Sequence, residues 1–115
     1  MNNNQLYGKE GEQIAYKHLK KHGYKILERN FKCPIGELDL IAMEGGELVF
    51  VEVKSRNSNL FGRPCEAVDF AKQQRLQRLA LYYINLTNNH NINARFDVVE
   101  VCGKEVNVIK NAWQL

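Results

Sequence analysis

Three side chains near the middle of this 115-residue sequence have types and spacing that suit a metal ion and a phosphate: Asp39, Glu52 and Lys54. They fall on two predicted strands, 37–43 and 47–55, which flank Gly45-Gly46, a strong hairpin signal. If the two glycines close the hairpin, Glu44 faces Glu47, and the register carries on through Ile41–Phe50 to Asp39–Glu52 and Glu37–Lys54. Side chains alternate along a strand, so Glu37, Asp39, Glu52 and Lys54 share one face, while Leu38, Leu40, Val49, Val51 and Val53 share the other. Like charges directly opposite destabilise a sheet by ~0.2–1 kcal/mol, and a local rule is often broken where a site needs it. A divalent cation would resolve the conflict. Mg²⁺ takes hard oxygen ligands, commonly one or two carboxylates with waters and substrate phosphates. Lys54 could hold a nucleophilic water or neutralise charge growing on phosphate oxygens. Spacing alone also allows a plainer reading. Exposed strand faces are commonly charged, Glu37–Lys54 would make an ordinary cross-strand ion pair, and a three-residue bulged turn would slip Asp39 away from Glu52.

The charge distribution frames these residues. The formal charge is only +3. Residues 1–36 carry +4, residues 37–54 carry −4, residues 55–80 carry +3 and residues 81–115 are neutral. An acidic block between basic ones is what a metal-dependent enzyme acting on a polyanion needs.

The elements that must position the three residues follow from periodicity. Residues 7–22 read as a helix, with Ile14, Ala15, His18 and Leu19 at helical spacing and Gly23 as its stop. Residues 24–31 read as a strand, and the turn residues of 33–36 lead into the hairpin. After a loop over 56–66, a helix spans roughly 67–86 with Leu76, Leu79, Ala80 and Tyr83 on one face. The last strands are 94–101 and 105–109, joined around Gly103. The order is αβββαβ with one more strand. A helical crossover of that length joins parallel neighbours, which gives an α/β fold: a mixed sheet flanked by helices, in a single domain over 1–115.

The arrangement Asp39–x12–Glu52-Val53-Lys54 resembles the PD-(D/E)xK nuclease signature, and the αβββαβ order resembles the restriction-endonuclease-like core. The wider pattern is more specific. Gly11-Glu12 with Ala15 and Leu19, Gly23-Tyr24, Asn30-Phe31, Gly36 through Ala42, Phe50 through Arg56, and Arg95 through Val99 are similar to the YraN-like family of small bacterial proteins. That family is grouped with nuclease folds and is similar to archaeal Holliday-junction resolvases. The resemblance implies metal carboxylates at Asp39 and Glu52, a catalytic lysine at Lys54, and a further carboxylate at Glu12 on the first helix. It implies a Mg²⁺- or Mn²⁺-dependent endonuclease acting on DNA. Because resolvase-like enzymes pair two active sites, it also implies a homodimer. Leu38 stands where the signature's name has proline. Glu12 has its own plainer reading, as an acid near a helix N-terminus where the macrodipole favours negative charge.

Basic residues follow the acidic strand. Arg56, Lys72, Arg75 and Arg78 are candidate phosphate contacts, with the last three on neighbouring turns of the second helix. A solvated helix face explains them equally well. His18 and His22 are one helical turn apart, but lysines sit between them where a metalloprotease motif has its glutamate, so a solvated helix end is expected. Glu44 and Glu47 flank the turn and need no chemistry. Arg95 and Asp97 share a strand face as a structural pair. Cys33, Cys65 and Cys102 are odd in number and widely spaced, which argues against a disulfide framework and fits a reducing cytoplasm. No apolar run reaches membrane-spanning length, and the polar N-terminus has no signal-peptide core. Three functional classes remain: a Mg²⁺-dependent phosphodiesterase, a nucleic-acid-binding module without catalysis, and a protein-interaction domain whose acidic face meets a basic partner.

Overall fold

The computed structural model describes residues 3–56 and 69–114. The elements are α1 (Asn3–Lys21), β1 (Lys25–Cys33), β2 (Gly36–Glu44), β3 (Glu47–Arg56), α2 (Phe70–Thr87), β4 (Ala94–Cys102) and β5 (Glu105–Gln114). This is the expected αβββαβ order followed by one strand. The sheet runs β1-β2-β3-β4-β5. Its outer pairs are antiparallel, and β3 pairs with β4 in parallel, so the α2 crossover does what its length requires. No helix among the described residues is long and apolar enough to cross a membrane.

Local chemistry sets the boundaries. Gly23 takes φ 92° after α1, and Tyr24 N–H donates to Leu19 O across it. The side chain of Asp69 caps α2 by accepting from Lys72 N–H at 2.8 Å. Asn88 closes the helix in the left-handed region at φ 59°. At the hairpin, Gly45 and Gly46 take φ 60° and 78°, the primed geometry that matches strand twist, and Glu44 pairs with Glu47 as the two-residue loop requires.

The two helices cover opposite faces of the sheet. On one face, Leu76, Leu79, Ala80, Tyr83 and Ile84 of α2 pack on Leu38, Ile41, Leu48, Phe50 and Phe96. On the other, Ala15 and Leu19 of α1 pack on Leu40, Ala42, Val49, Val51, Val99 and Val101. Each buried aliphatic side chain of this size contributes ~1.5–3 kcal/mol of transfer free energy. Both faces of the central strands are therefore apolar. The charged face expected of the hairpin exists only at its open end.

Strand β5 runs to Gln114, where alternation had suggested an end at 109. Asn111 takes φ 54°, and the β4–β5 register shifts between Phe96 and Val98. The irregular backbone is tied down by Asp97, whose Oδ1 accepts from Asn111 N–H at 2.9 Å. Beyond that shift Trp113 stacks on Phe96, with ring centroids 4.8 Å apart.

Candidate metal and nucleic-acid site

The hairpin keeps the expected register from Glu44–Glu47 to Leu40–Val51, and there the ladder stops. Asp39 and Glu52 do not face each other as a regular cross-strand pair. Instead the Asp39 side chain enters the gap between the strands, and its Oδ2 accepts from Val53 N–H at 2.8 Å. A carboxylate replaces a backbone carbonyl at the point where β2 and β3 part. This corrects the simple register in a way that matters for chemistry, because the partly buried acid now sits at the mouth of a fork.

The expected common face divides in two. Leu38 belongs to the α2-side cluster, and a β-carbon on Gly36 would meet Leu79 of α2 at 3.6 Å. Alternation then turns Glu37 toward the α1 side, away from Lys54. In β1, Asn30 sits in the left-handed region at φ 53°. With its amide oriented to satisfy both neighbours, Asn30 Nδ2 donates to Glu37 Oε1 at 3.2 Å and to Glu12 Oε2 at 3.0 Å. Glu12 and Glu37 thus reach the gap from the α1 side. Val53 packs with the α1-side cluster, so Glu52 and Lys54 point to the α2 side. There Lys72 Nζ lies 2.7 Å from Glu52 Oε1.

Electrostatics concentrate on Asp39. Burial raises its carboxyl, the charge of Glu52 raises it again, and the bond from Val53 N–H lowers it, for a net rise to about 7. Glu12 and Glu37 add to the rise. Glu12 is itself raised, by burial first and by Glu37 next, with Asn30 opposing. Burial alone would lower Lys72, but its bond to Glu52 outweighs this and its ammonium form is favoured.

The donor set fits a small hard cation. Asp39 and Glu52 offer carboxylate oxygens, and Asp39 carries an unfavourable negative charge that a cation would stabilise. Two carboxylates are within the usual complement for Mg²⁺. Among the described residues, no three His, Cys, Asp or Glu side chains converge as a metal cluster, so Glu12 stands beside this pair and does not complete a triad.

The basic candidates separate. Arg75 and Arg78 are exposed on α2, whereas Lys72 turns inward to Glu52. The side chain of Arg56 lies outside the described residues, as do Arg63 and Cys65. His18 and His22 stack at 4.1 Å, as a helix-end pair. Tyr83 is core, edge-on to Phe31 and Phe50, and Tyr82 is exposed.

Two features escaped the sequence reading. Glu100 is only 1% exposed and stands beside Lys54 in the parallel register, with Asn107 Nδ2 3.3 Å from its Oε1. An acid inside the apolar run Val98–Val101 was its signal, since a central parallel strand is buried on both faces. The second is the extension of the expected Arg95–Asp97 pair into a wider network at the closed end of the hairpin. Arg95 donates from Nε to Asp97 Oδ1 at 3.0 Å and from Nη1 to Glu47 Oε1 at 2.8 Å, and from Nη2 it bonds Glu44. Tyr24 O–H donates to Asp97 Oδ2 at 2.7 Å. Glu44 and Glu47, expected to be idle beside the turn, anchor a buried arginine.

The model of the uncharacterised protein family UPF0102 matches residues 11–101. The chain belongs to that family. It is 54% identical over 99 residues to the UPF0102 protein TTE1452 of Caldanaerobacter subterraneus subsp. tengcongensis, covering 86% of this chain and 81% of that protein. It is 48% identical over 119 residues to a UPF0102 protein of Caldicellulosiruptor saccharolyticus, covering 98% of this chain and 100% of the relative. A UPF0102 protein of Clostridioides difficile, CD630_12710, is 46% identical over 113 residues, covering 96% and 99%. The UPF0102 family is the YraN-like group that the sequence motifs resemble. The matched span contains Glu12, Asp39, Glu52, Lys54 and Lys72.

Proposed function

We propose that this UPF0102 protein is a Mg²⁺- or Mn²⁺-dependent phosphodiesterase acting on DNA. The observation that carries the reading is the placement of Asp39. It is a partly buried acid held by Val53 N–H at the fork of β2 and β3, raised to about 7 by burial and by the neighbouring Glu52. Two acids that repel in this way cost stability, which supports a ligand as the reason for the arrangement. The nuclease-like order of elements and the Asp39, Glu52, Lys54 spacing support the same reading.

In this reading Asp39 and Glu52 hold the cation, and the Val53 N–H fixes the orientation of the Asp39 carboxylate. A divalent ion held there supplies Lewis acidity to a phosphodiester and a more acidic water. Lys54, on the same side of β3 as Glu52, presents its ammonium to the phosphate or to the attacking water. Glu100 lies beside it on the next strand. Exposed cations would track the backbone: Lys17, Lys20 and Lys25 around α1 and β1, and Arg75 and Arg78 on α2. Such contacts position a nucleic acid without reading its sequence, and binding should weaken as salt rises.

The test incubates purified protein with linear, flapped, single-stranded and four-way-junction DNA in Mg²⁺ or Mn²⁺. Asp39→Asn and Glu52→Gln variants run beside it. Cleavage by the wild type that disappears in both variants supports the proposal. Cleavage that persists in both identifies a contaminant. DNA binding without cleavage points to a binding module on the same fold, and a lack of binding to any nucleic acid points to a protein-interaction domain.

A further inference from the structure

Lys72 leaves the surface that its neighbours occupy. Arg75 and Arg78 project into solvent, but Lys72 turns from the first turn of α2 toward the fork and places Nζ 2.7 Å from Glu52 Oε1. The pair is largely shielded, with side chains 27% and 12% exposed. The position is built. The Lys72 N–H is the donor that Asp69 caps, so the same residue is fixed at its backbone by the helix start and at its tip by Glu52.

An ammonium and a metal ion on the same oxygen of Glu52 compete for it. A hard divalent cation binds a carboxylate oxygen at about 2.0–2.1 Å, and a lysine ammonium held on that oxygen would face it at close range with like charge. Lysine suits an exchange of this kind better than arginine. It is a compact point charge on a flexible four-carbon stem, with no bidentate fork to break.

We infer that Lys72 is an exchangeable counter-ion for Glu52, which holds the carboxylate in the metal-free protein and is displaced from it when Asp39 and Glu52 take a divalent cation. Once displaced, the ammonium lies beside Lys54 at the mouth of the fork and becomes a second positive group for a substrate phosphate. The inference rests on the metal reading of Asp39 and Glu52 and adds a positioning residue to it.

The experiment measures Mn²⁺ binding by electron paramagnetic resonance, without DNA, in the wild type, Lys72→Met and Arg75→Met. The arginine variant makes the same charge change one turn further along α2. Lys72→Met should bind Mn²⁺ tighter by about five- to tenfold, because the competing ion pair is gone. Arg75→Met should stay within about twofold of wild type, as expected for an exposed charge. In the wild type, the Lys72 ammonium resonance should be protected from exchange in EDTA and lose that protection in Mg²⁺. Lys72→Met affinity that equals or falls below that of the wild type overturns the exchange and leaves the metal reading standing. An ammonium resonance indifferent to Mg²⁺ does the same. Absence of Mn²⁺ binding in both the wild type and Lys72→Met overturns the metal reading itself, and the exchange with it.

Discussion

Gly11 of α1 stands so close to Ser55 of β3 that a β-carbon on Gly11 would fall 1.8 Å from Ser55 Oγ and 3.1 Å from Ser55 Cβ. This close approach brings Glu12, the next residue, to the α1 side of the fork. Elsewhere in a helix, replacing glycine by alanine gains ~0.5–1 kcal/mol. Here the serine hydroxyl can rotate away, but the two β-carbons can separate only if α1 moves off the sheet. Gly11→Ala should therefore destabilise the protein by ~1 kcal/mol net, as overpacked sites do. Urea unfolding of Gly11→Ala in the wild-type and Ser55→Gly backgrounds checks this. The alanine should cost less, or stabilise, when Ser55 is absent. Equal costs in both backgrounds would show that the contact is not what selects glycine.

Asp39 makes stability depend on pH in a direction opposite to that of most acids. Its carboxyl moves from 3.8 to about 7 on folding, through burial first and the charge of Glu52 second. The folded state thus holds a proton that the unfolded chain has released, and stability falls as pH rises across that window. Glu12, also raised, acts with the same sign. In EDTA the protein should be more stable at pH 5 than at pH 8, by on the order of 1–3 kcal/mol. Asp39→Asn keeps an acceptor for Val53 N–H without the charge, so it should flatten the dependence and raise the melting temperature at pH 8. Mg²⁺ should restore stability at pH 8 in the wild type and not in Asp39→Asn. A profile that rises from pH 5 to pH 8 in the wild type would contradict the placement of this acid.

The hairpin, its register through Leu40–Val51 and the αβββαβ order were legible because each rests on local signals: two glycines, alternation, helical spacing and crossover length. The fork was not. Its geometry depends on one side-chain bond, from Val53 N–H to Asp39, which no periodicity encodes. The end of β5 was missed because Asn111 breaks the alternation that marks a strand. That Lys72 turns inward to Glu52 was not legible either, because helical spacing cannot say which flank of α2 overhangs β3. The Arg95–Asp97 pair was legible two residues apart on one strand face, but its links to Tyr24, Glu44 and Glu47 were not, because those residues lie far away in sequence.

That network yields the largest expected effect on stability. Asp97 is fully buried, and Arg95 is the cation bonded to it. The arginine also bonds Glu44 and Glu47, and its contact lowers the Glu44 carboxyl. Removing one member of a buried charge pair typically costs ~3–5 kcal/mol, because the other charge stays buried. Arg95→Met should lose about that much. Tyr24→Phe, which removes one hydrogen bond to Asp97, should lose only ~1–2 kcal/mol. Combining Arg95→Met with Asp97→Asn should recover part of the loss. Thermal denaturation of the wild type, Arg95→Met, Asp97→Asn and the double variant measures the coupling, and strict additivity would mean the two residues act separately.

Asn30 offers the sharpest probe of the α1 side of the fork. Its backbone is left-handed, which asparagine tolerates and glycine accepts freely. Its amide donates to both Glu12 and Glu37, and the bond to Glu12 opposes the rise that burial imposes on that acid. Asn30→Gly keeps the backbone and deletes the donor. Asn30→Asp keeps the shape but replaces the donor with a third acid among carboxylates that already repel. Because Asn30 is exposed, water screens part of the effect, and Asn30→Asp should cost only ~0.5–1 kcal/mol at pH 8. The sign decides the test. Losing the donor raises the folded pKa of Glu12 further above its unfolded value, so the added loss appears as pH rises and vanishes as the acids take up protons. Urea unfolding at pH 5 and pH 8 should show the gap between the two pH values widening from wild type to Asn30→Gly to Asn30→Asp. An Asn30→Asp gap equal to that of the wild type would mean that Asn30 does not bridge Glu12 and Glu37.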